Sequence, residues 1–566
     1  MRQRAIRAAR GDAPFDVLLT GATLVDVATS ELRAADVGIV GELIASVHAP
    51  GARADAKVVH KLDGYLAPGF IDTHVHFESS HLTPEHYAAV VVPQGTTTVV
   101  YDPHELANVL GVDGVRWAIE ASRGLPLRFL CMAPSSVPSA PGLETSGAEF
   151  AGPEMREMLS WPEVVGVAEM MDMNGVVSQS ERMREILEAG FASGKLICGH
   201  ARGLTGAFLQ AYATAGVTSD HELISGEDAL EKLRAGFTLE IRGSHDYVLP
   251  GIVEVLNRLP QIPSTVTICT DDVPPDTLLD KGGMCDVIRR LVGYGLDPIQ
   301  AIRCATLNAA QRIGRRDLGL IAPGRLADMI VLSDLRGFQV TRVFTAKKHE
   351  SLPASPLPNT TQLQPLSLDD CRVRVSRPDG TARLRVIQGA RFTKWNEVEV
   401  QVRGGYAEVP PGYGVLLIQH RHGRYRAAPK HAVISDWGEF GGAIAYTYLH
   451  DSHNLTVIGR SPSDMQVAAN AVIRAHGGMA VAAKGQVTAL CEFPIAGMLS
   501  AESPEKVANA YAHVRAAADA VMEWQPPYRT FKALGGLSLA CNPGPHLTDL
   551  GLTDGSTGEI VSLLID

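Results

Sequence analysis

Apolar and polar positions divide the chain into three regimes. Between residues 15 and 65, short β-rich runs are broken by turn residues: Asp16–Leu19, Thr23–Asp26, Ala35–Ile39 and Leu43–Val47, punctuated by Thr20-Gly21 and Val40-Gly41. This spacing predicts a small antiparallel unit. A similar run, Ala327–Leu332, returns after Ile321–Arg325 (IAPGR), and the two pieces are expected to pair into one sheet domain interrupted by everything between them. In between, apolar runs alternate with helix-like segments. The runs that read as strands are eight: Phe70–His76, Thr97–Tyr101, Leu127–Met132, Val164–Glu169, Leu196–His200, Val217–His221, Phe237–Ile241 and Val266–Asp271. Helical stretches include Glu181–Ser193, Ala207–Ala215, Glu227–Arg234, Ile288–Tyr294 and Pro298–Arg312. Strand–helix alternation implies a mainly parallel sheet. Eight such units in roughly 250 residues fit a closed (β/α)8 barrel, with a doubly wound open sheet as the alternative.

The third regime follows a Pro-rich polar stretch, Pro353–Pro365, which reads as a linker. It has strand-like runs at Val398–Val402, Val415–Gln419 and Ala443–Tyr448 and helix-like runs at Met465–Ala475 and Pro504–Glu523, which suggest a separate α+β domain. The expected division is 1–67 and 319–350 for the two parts of the small sheet unit, 68–318 for the barrel, 351–365 for the linker and 366–566 for the C-terminal domain.

Composition narrows the partners. The 566 residues are 45% hydrophobic and 20% charged, an ordinary globular profile. Lys and Arg total 51 against 62 Asp and Glu, a net charge of −11, which argues against a nucleic acid or an anionic membrane as partner. A neutral nucleobase stays compatible. The eight cysteines are scattered without a CxxC pair, as expected of reduced thiols in a cytoplasm. The basic N-terminus lacks the apolar segment of a signal peptide, and no apolar run is long enough to span a bilayer. The expectation is a soluble cytoplasmic protein and, on general prevalence, a homo-oligomer such as a dimer.

Metal-binding side chains recur at the C-terminal ends of the expected strands, where barrels place their active sites. The first strand carries His74 and His76, two residues apart and hence facing one side. Glu169 ends the fourth, His200 the fifth, His221 the sixth and Asp271 the eighth. Each has a bland reading alone: a surface carboxylate for Glu169, a hydrogen-bonded structural histidine for His200 or His221, a helix N-cap for Asp271. All six at strand ends is harder to obtain by chance. Four histidines and two carboxylates can hold two divalent metals that polarise one shared water. Imidazole with carboxylate suits zinc, iron or manganese.

The order HxH, Glu, His, His, Asp resembles that of the amidohydrolase superfamily. The segments PGFIDTHVHFESSHLTP, GTTTVVYDPHELANVLG, SDHE, CTDD, HDSHN, ATLNAAQRIG and IAPGRLADMIVLSDL are similar to those of bacterial adenine deaminases, from about Asp16 to the C-terminus. The resemblance implies a metal-dependent barrel, a composite β-sandwich built from both flanks, and an added C-terminal domain. It implies conversion of adenine and water to hypoxanthine and ammonia, a step of purine salvage, with two divalent ions, usually manganese or iron. It implies that His74 and His76 bind the first metal, that Glu169 bridges, and that His200 and His221 bind the second. Asp271 would contact a metal and act as base, and His221 would be the metal-side electrophile. His104 and Glu105 of DPHE are candidates to orient the water or contact the base, and Glu222 and Glu240 to contact the ring edge. In HDSHN, His450, Asp451 and His453 read as a surface turn or, given the resemblance, as a cover over the barrel mouth serving substrate closure or an extra metal site.

Departures from the family pattern cluster near the expected substrate loops. Gln419-His420-Arg421-His422-Gly423 replaces ERHHG, Arg202 replaces a proline in GHARGL, DDVPPDTLL lacks a basic residue and a histidine after Asp272, and EIRGSHDYV replaces the REGS pattern. The metal residues are untouched. The alternatives are therefore deamination of another 6-substituted aminopurine such as N6-methyladenine, hydrolysis of a cyclic amide, and, least favoured by the full ligand set, a non-catalytic scaffold.

Overall fold

The computed structural model describes residues 1–347, 356–389, 393–523 and 532–565. Its centre is a barrel of eight parallel strands: Phe70–Val75, Thr96–Tyr101, Arg128–Ala133, Val164–Met170, Leu196–Gly199, Ser219–Asp220, Thr238–Arg242 and Val266–Cys269. The first five form one continuous ladder and the last three another. Two seams close the ring. Thr218 N donates to Ile197 O (3.0 Å), and Val75 and Asp271 form a parallel bridge. The open-sheet alternative is thereby excluded. Every position of the first two strands is buried, because side chains point alternately into the barrel and against the outer helices. That two-sided burial explains why the runs are nearly continuous in apolar residues.

The helices follow the expected periodicity. Glu181–Ser193 buries Met183, Ile186, Leu187 and Gly190, spaced as one helical face. The Ser180 side chain caps its start by accepting from Met183 N, and Gly194 ends it in the left-handed conformation at φ 66. The stretch expected as one helix over Pro298–Arg312 is divided into Pro298–Arg303, a π turn at Cys304–Asn308, and Ala309–Arg312. There the Asn308 amide donates to Val266 O (2.9 Å), tying the widened turn to the eighth strand.

The flanking sheet unit is mixed rather than antiparallel. Phe15–Thr20 pairs antiparallel with Asp36–Val40 but parallel with Ala56–Lys61. Thr23–Asp26 pairs antiparallel with Glu31–Ala34 but parallel with Tyr65–Pro68. The return strand Met329–Leu332 pairs with Tyr65–Pro68 and Val340–Phe344, so the two flanks share a five-stranded sheet beside a four-stranded one. An N-terminal helix, Arg2–Arg10, packs on the four-stranded sheet.

Of the stretch expected as linker, 351–355 lie outside the described residues, and 356–365 have no regular structure. Beyond it the nine strands from Gly380–Gln388 to Gln486–Glu492 in chain order, together with Leu564–Ile565, form one ten-stranded sheet. Helix Pro462–Arg474 packs against this sheet. On the barrel side, Phe77, Leu82 and Leu106 share one apolar core with Leu416, Tyr448 and Phe493 of the C-terminal region. The C-terminal sheet is thus fixed over the mouth of the barrel.

Candidate active site

The barrel residues converge at that mouth. His74 lies on the first strand and His76 one residue past it, and their Nε2 atoms are 3.0 Å apart. His200, His221 and Asp271 also lie one or two residues beyond their ladders, and Glu169 is the penultimate residue of its strand. Glu169 is the hub. Its Oε1 is 3.2 Å from His76 Nε2 and 3.6 Å from His74 Nε2, while its Oε2 is 2.5 Å from His200 Nδ1 and 3.1 Å from His221 Nε2. Asp271 Oδ1 closes the near side, 3.4 Å from His76 Nε2 and 3.7 Å from His74 Nε2. All six side chains are buried. Burial opposes charge on Glu169, but the surrounding imidazoles, His221 foremost, hold its carboxyl well below the usual carboxylate range.

Asp271 does not cap the following helix; Pro274 occupies that position before Pro275–Asp280. Its backbone is left-handed at φ 60, a conformation an aspartate adopts at a cost. Reciprocal backbone bonds to the first strand hold it there: Asp271 N donates to His74 O (3.0 Å) and His76 N to Asp271 O (3.4 Å). Its other oxygen, Oδ2, accepts from Ser244 Oγ at 3.3 Å and pairs with the Arg242 guanidinium.

The departures from the family pattern form part of this network. Arg202 Nη1 donates to Glu222 Oε2 (2.6 Å), and Arg242 pairs with Glu222 Oε1. Glu222 is therefore clamped between two guanidinium groups beside His200 and His221 and does not line the adjoining cavity. Glu240 lies one step deeper than Arg242 on the same interior face, 3.7 Å from Arg312 Nε. Glu240, expected at the ring edge, is not among the residues that line the cavity.

His104 sits at the second strand's end with Nδ1 2.9 Å from Asp102 Oδ2 and 3.6 Å from Glu169 Oε1. Burial opposes its charge, yet Asp102 and Glu105 raise it to about 10. Glu105 faces the C-terminal region: Tyr448 OH donates to its Oε1 (3.0 Å), His450 Nδ1 lies 3.0 Å from the same oxygen, and His453 Nε2 contacts Oε2. The HDSHN segment is therefore a buried contact with the barrel and not a surface turn. It is held by Arg421, whose buried guanidinium donates to Thr360 Oγ1 (2.9 Å) and Ala496 O (3.1 Å) and to the carbonyls of His453 and Thr447. Burial alone lowers this guanidinium to about 9.

A cavity of about 250 Å³ opens beside the cluster. Ser244, Thr270 and Asp272 line its barrel wall, and Tyr446, Tyr448 and His450 its C-terminal roof. Asp102, Arg242, Ser244 and Tyr448 were not singled out from sequence. Arg242 carried a signal, since it stands where the seventh-strand segment departs from the family pattern; Tyr448 carried none beyond its place beside HDSHN.

Residues 65–348 match the amidohydrolase family, and residues 390–559 match the adenine deaminase C-terminal domain. An adenine deaminase of Serratia proteamaculans (strain 568) is 57% identical over 578 residues, covering 100% of this chain and 97% of that protein. Adenine deaminase 2 of Rhizobium meliloti (strain 1021) is 54% identical over 573 residues, covering 99% and 96%. An adenine deaminase of Desulfatibacillum aliphaticivorans is 37% identical over 579 residues, covering 99% of each chain. These matches span the barrel and the roof alike, and the chain belongs to the adenine deaminase family of amidohydrolases.

Proposed function

We propose that the barrel mouth hydrolyses adenine to hypoxanthine and ammonia. The observation that carries this is the convergence of His74, His76, Glu169, His200, His221 and Asp271 beside a cavity sized for a small heterocycle, in a chain whose relatives are named adenine deaminases over their full length.

The donor set fits a pair of divalent cations. Four imidazoles crowd one carboxylate, each with a ring nitrogen between 2.5 and 3.6 Å from a Glu169 oxygen, a spacing suited to sharing cations. His74 and His76 would hold one ion, His200 and His221 the other, with Glu169 between them and Asp271 on the near side. Mixed nitrogen and oxygen donors without thiolate favour manganese or iron, with zinc also compatible. Such ions supply Lewis acidity and activation of water near neutral pH.

The protein's own groups handle the protons. Asp271 Oδ1 faces the reacting centre while Arg242 and Ser244 hold Oδ2, which orients the carboxylate for its role as base. It takes a proton from the attacking water and returns it to the leaving nitrogen, because an amide anion is too poor a leaving group. Water oxygen bonds to C6 of the purine, the C6–N6 bond breaks, and ammonia departs. His221, against Glu169, polarises the same centre. Tyr448 and His450 line the roof of the cavity.

The reading includes a cytoplasmic location, supported by eight unpaired thiols, and a homo-oligomeric state on general prevalence. Among the described residues no helix is long and apolar enough to cross a membrane. The deciding experiment follows substrate loss and product formation across a panel of adenine, which would give hypoxanthine and ammonia, N6-methyladenine, which would give hypoxanthine and methylamine, and cyclic amides, which would open to amino acids. Adenine should give the highest kcat/KM; turnover of a cyclic amide but not of adenine overturns the reading.

A further inference from the structure

A second group of ligand atoms lies on the far side of His104. His104 Nε2, a Glu105 oxygen, His450 Nδ1 and an Asp451 oxygen lie within 4.8 Å of one another. Individual separations are 3.6 Å for His104 Nε2 to Glu105 Oε1 and 4.0 Å for His104 Nε2 to Asp451 Oδ1. From His450 Nδ1 they are 3.0 Å to Glu105 Oε1 and 3.4 Å to Asp451 Oδ1. Two of these residues come from the barrel and two from the C-terminal region.

The group is incomplete as a hydrogen-bond network. His104 Nε2 and both oxygens of Asp451 are buried with no hydrogen-bond partner. Asp451 is only 1% exposed, and a carboxylate withdrawn from water with neither oxygen accepting a hydrogen bond is costly unless a cation meets it. The imidazoles are also oriented as ligands. His104 hydrogen-bonds through its other nitrogen, Nδ1, to Asp102 Oδ2 at 2.9 Å, the outer contact that supports metal-ligating histidines, while His450 Nε2 lies 3.7 Å from Asp272 Oδ2. Glu105 is itself oriented by Tyr448 and His453.

We propose that His104, Glu105, His450 and Asp451 hold a third divalent cation, at the seam between the barrel and the C-terminal sheet. Two imidazoles and two carboxylates suit a first-row transition ion. The site shares no ligand residue with the six proposed for the barrel pair.

The test counts metal on the intact protein. Protein supplied with manganese, equilibrated by dialysis and measured by elemental analysis should carry close to three ions per chain. Asp451→Asn and His450→Gln should each carry close to two, and Glu169→Ala, which breaks the barrel pair, close to one. Circular dichroism of each variant checks that it is folded, and two separate variants guard against the failure of either. A wild-type count of two overturns this proposal and leaves the barrel pair standing; a count of zero overturns both. Retention of three ions by folded Asp451→Asn and His450→Gln also overturns it.

Discussion

The floor and the roof of the cavity are built by different means. The floor is assembled from backbone geometry: parallel strands end at one level, so His74, His76, Glu169, His200, His221 and Asp271 meet without any contact being specified in advance. The roof depends on side chains holding an irregular segment. Residues 447–453 follow no strand past Tyr446, and Arg421 anchors their carbonyls. A site floor set by fold topology tolerates sequence change around it, whereas a roof set by a few buried polar contacts fails when one is removed.

Substitutions at the two levels should therefore behave differently. Glu169→Ala should have the largest effect, removing both the barrel metal and measurable ammonia release, since one carboxylate serves four imidazoles. Asp271→Asn should keep the metal and lose about 10²- to 10⁴-fold in kcat, the usual span for a general base; near wild-type turnover would remove Asp271 from that role. Asp451→Ala tests the roof, and there kcat/KM should fall by about 10- to 100-fold with the barrel ions still bound. Unchanged kinetics would make the roof a passive cover.

Two smaller effects concern stability. Arg421→Met strips several buried carbonyls of their donor and should cost on the order of 3 kcal/mol, seen as a lowered Tm with the metal count of the floor unchanged. His81 joins the levels: its Nδ1 donates to Met498 O (2.8 Å) and its Nε2 accepts from the Tyr446 hydroxyl (2.9 Å). Burial lowers it from 6.5 to about 3, so the unfolded chain binds the extra proton across that window. Its contribution is complete above pH 6.5 and is lost as pH falls towards 3. In a Tm-against-pH series, His81→Gln should flatten the acid limb; parallel profiles would show that His81 is not part of the acid response.

The contrast also governs what could be read from sequence. The barrel strands were legible because two-sided burial writes a continuous apolar run, and the convergence of the six clustered side chains because topology sends every strand end to one face. Depth was not legible. Period two places Glu240 and Arg242 on one interior face but does not say that Glu240 meets Arg312 below while Arg242 reaches Asp271 above. Parallel pairing in the flanking sheets was missed because Ala56–Lys61 is an edge strand with Val58 and Val59 exposed, leaving no alternation to read. The π turn at Cys304–Asn308 answers to Val266, more than thirty residues away. HDSHN was recognised as a segment, but its burial depends on Arg421 and Glu105, which lie far from it in the chain.

That distance bears on how the enzyme is made. Glu105 and His453 are separated by 348 positions, and His81 and Met498 by 417. A chain emerging from the ribosome completes the whole barrel before it reaches the segment that covers it. During that interval the floor stands open to water, and the last contacts to form are among the slowest kind, because closing so large a loop must precede any gain from them. Catalytic competence should therefore lag behind barrel formation in refolding, with deaminase activity returning later than the barrel's own secondary structure.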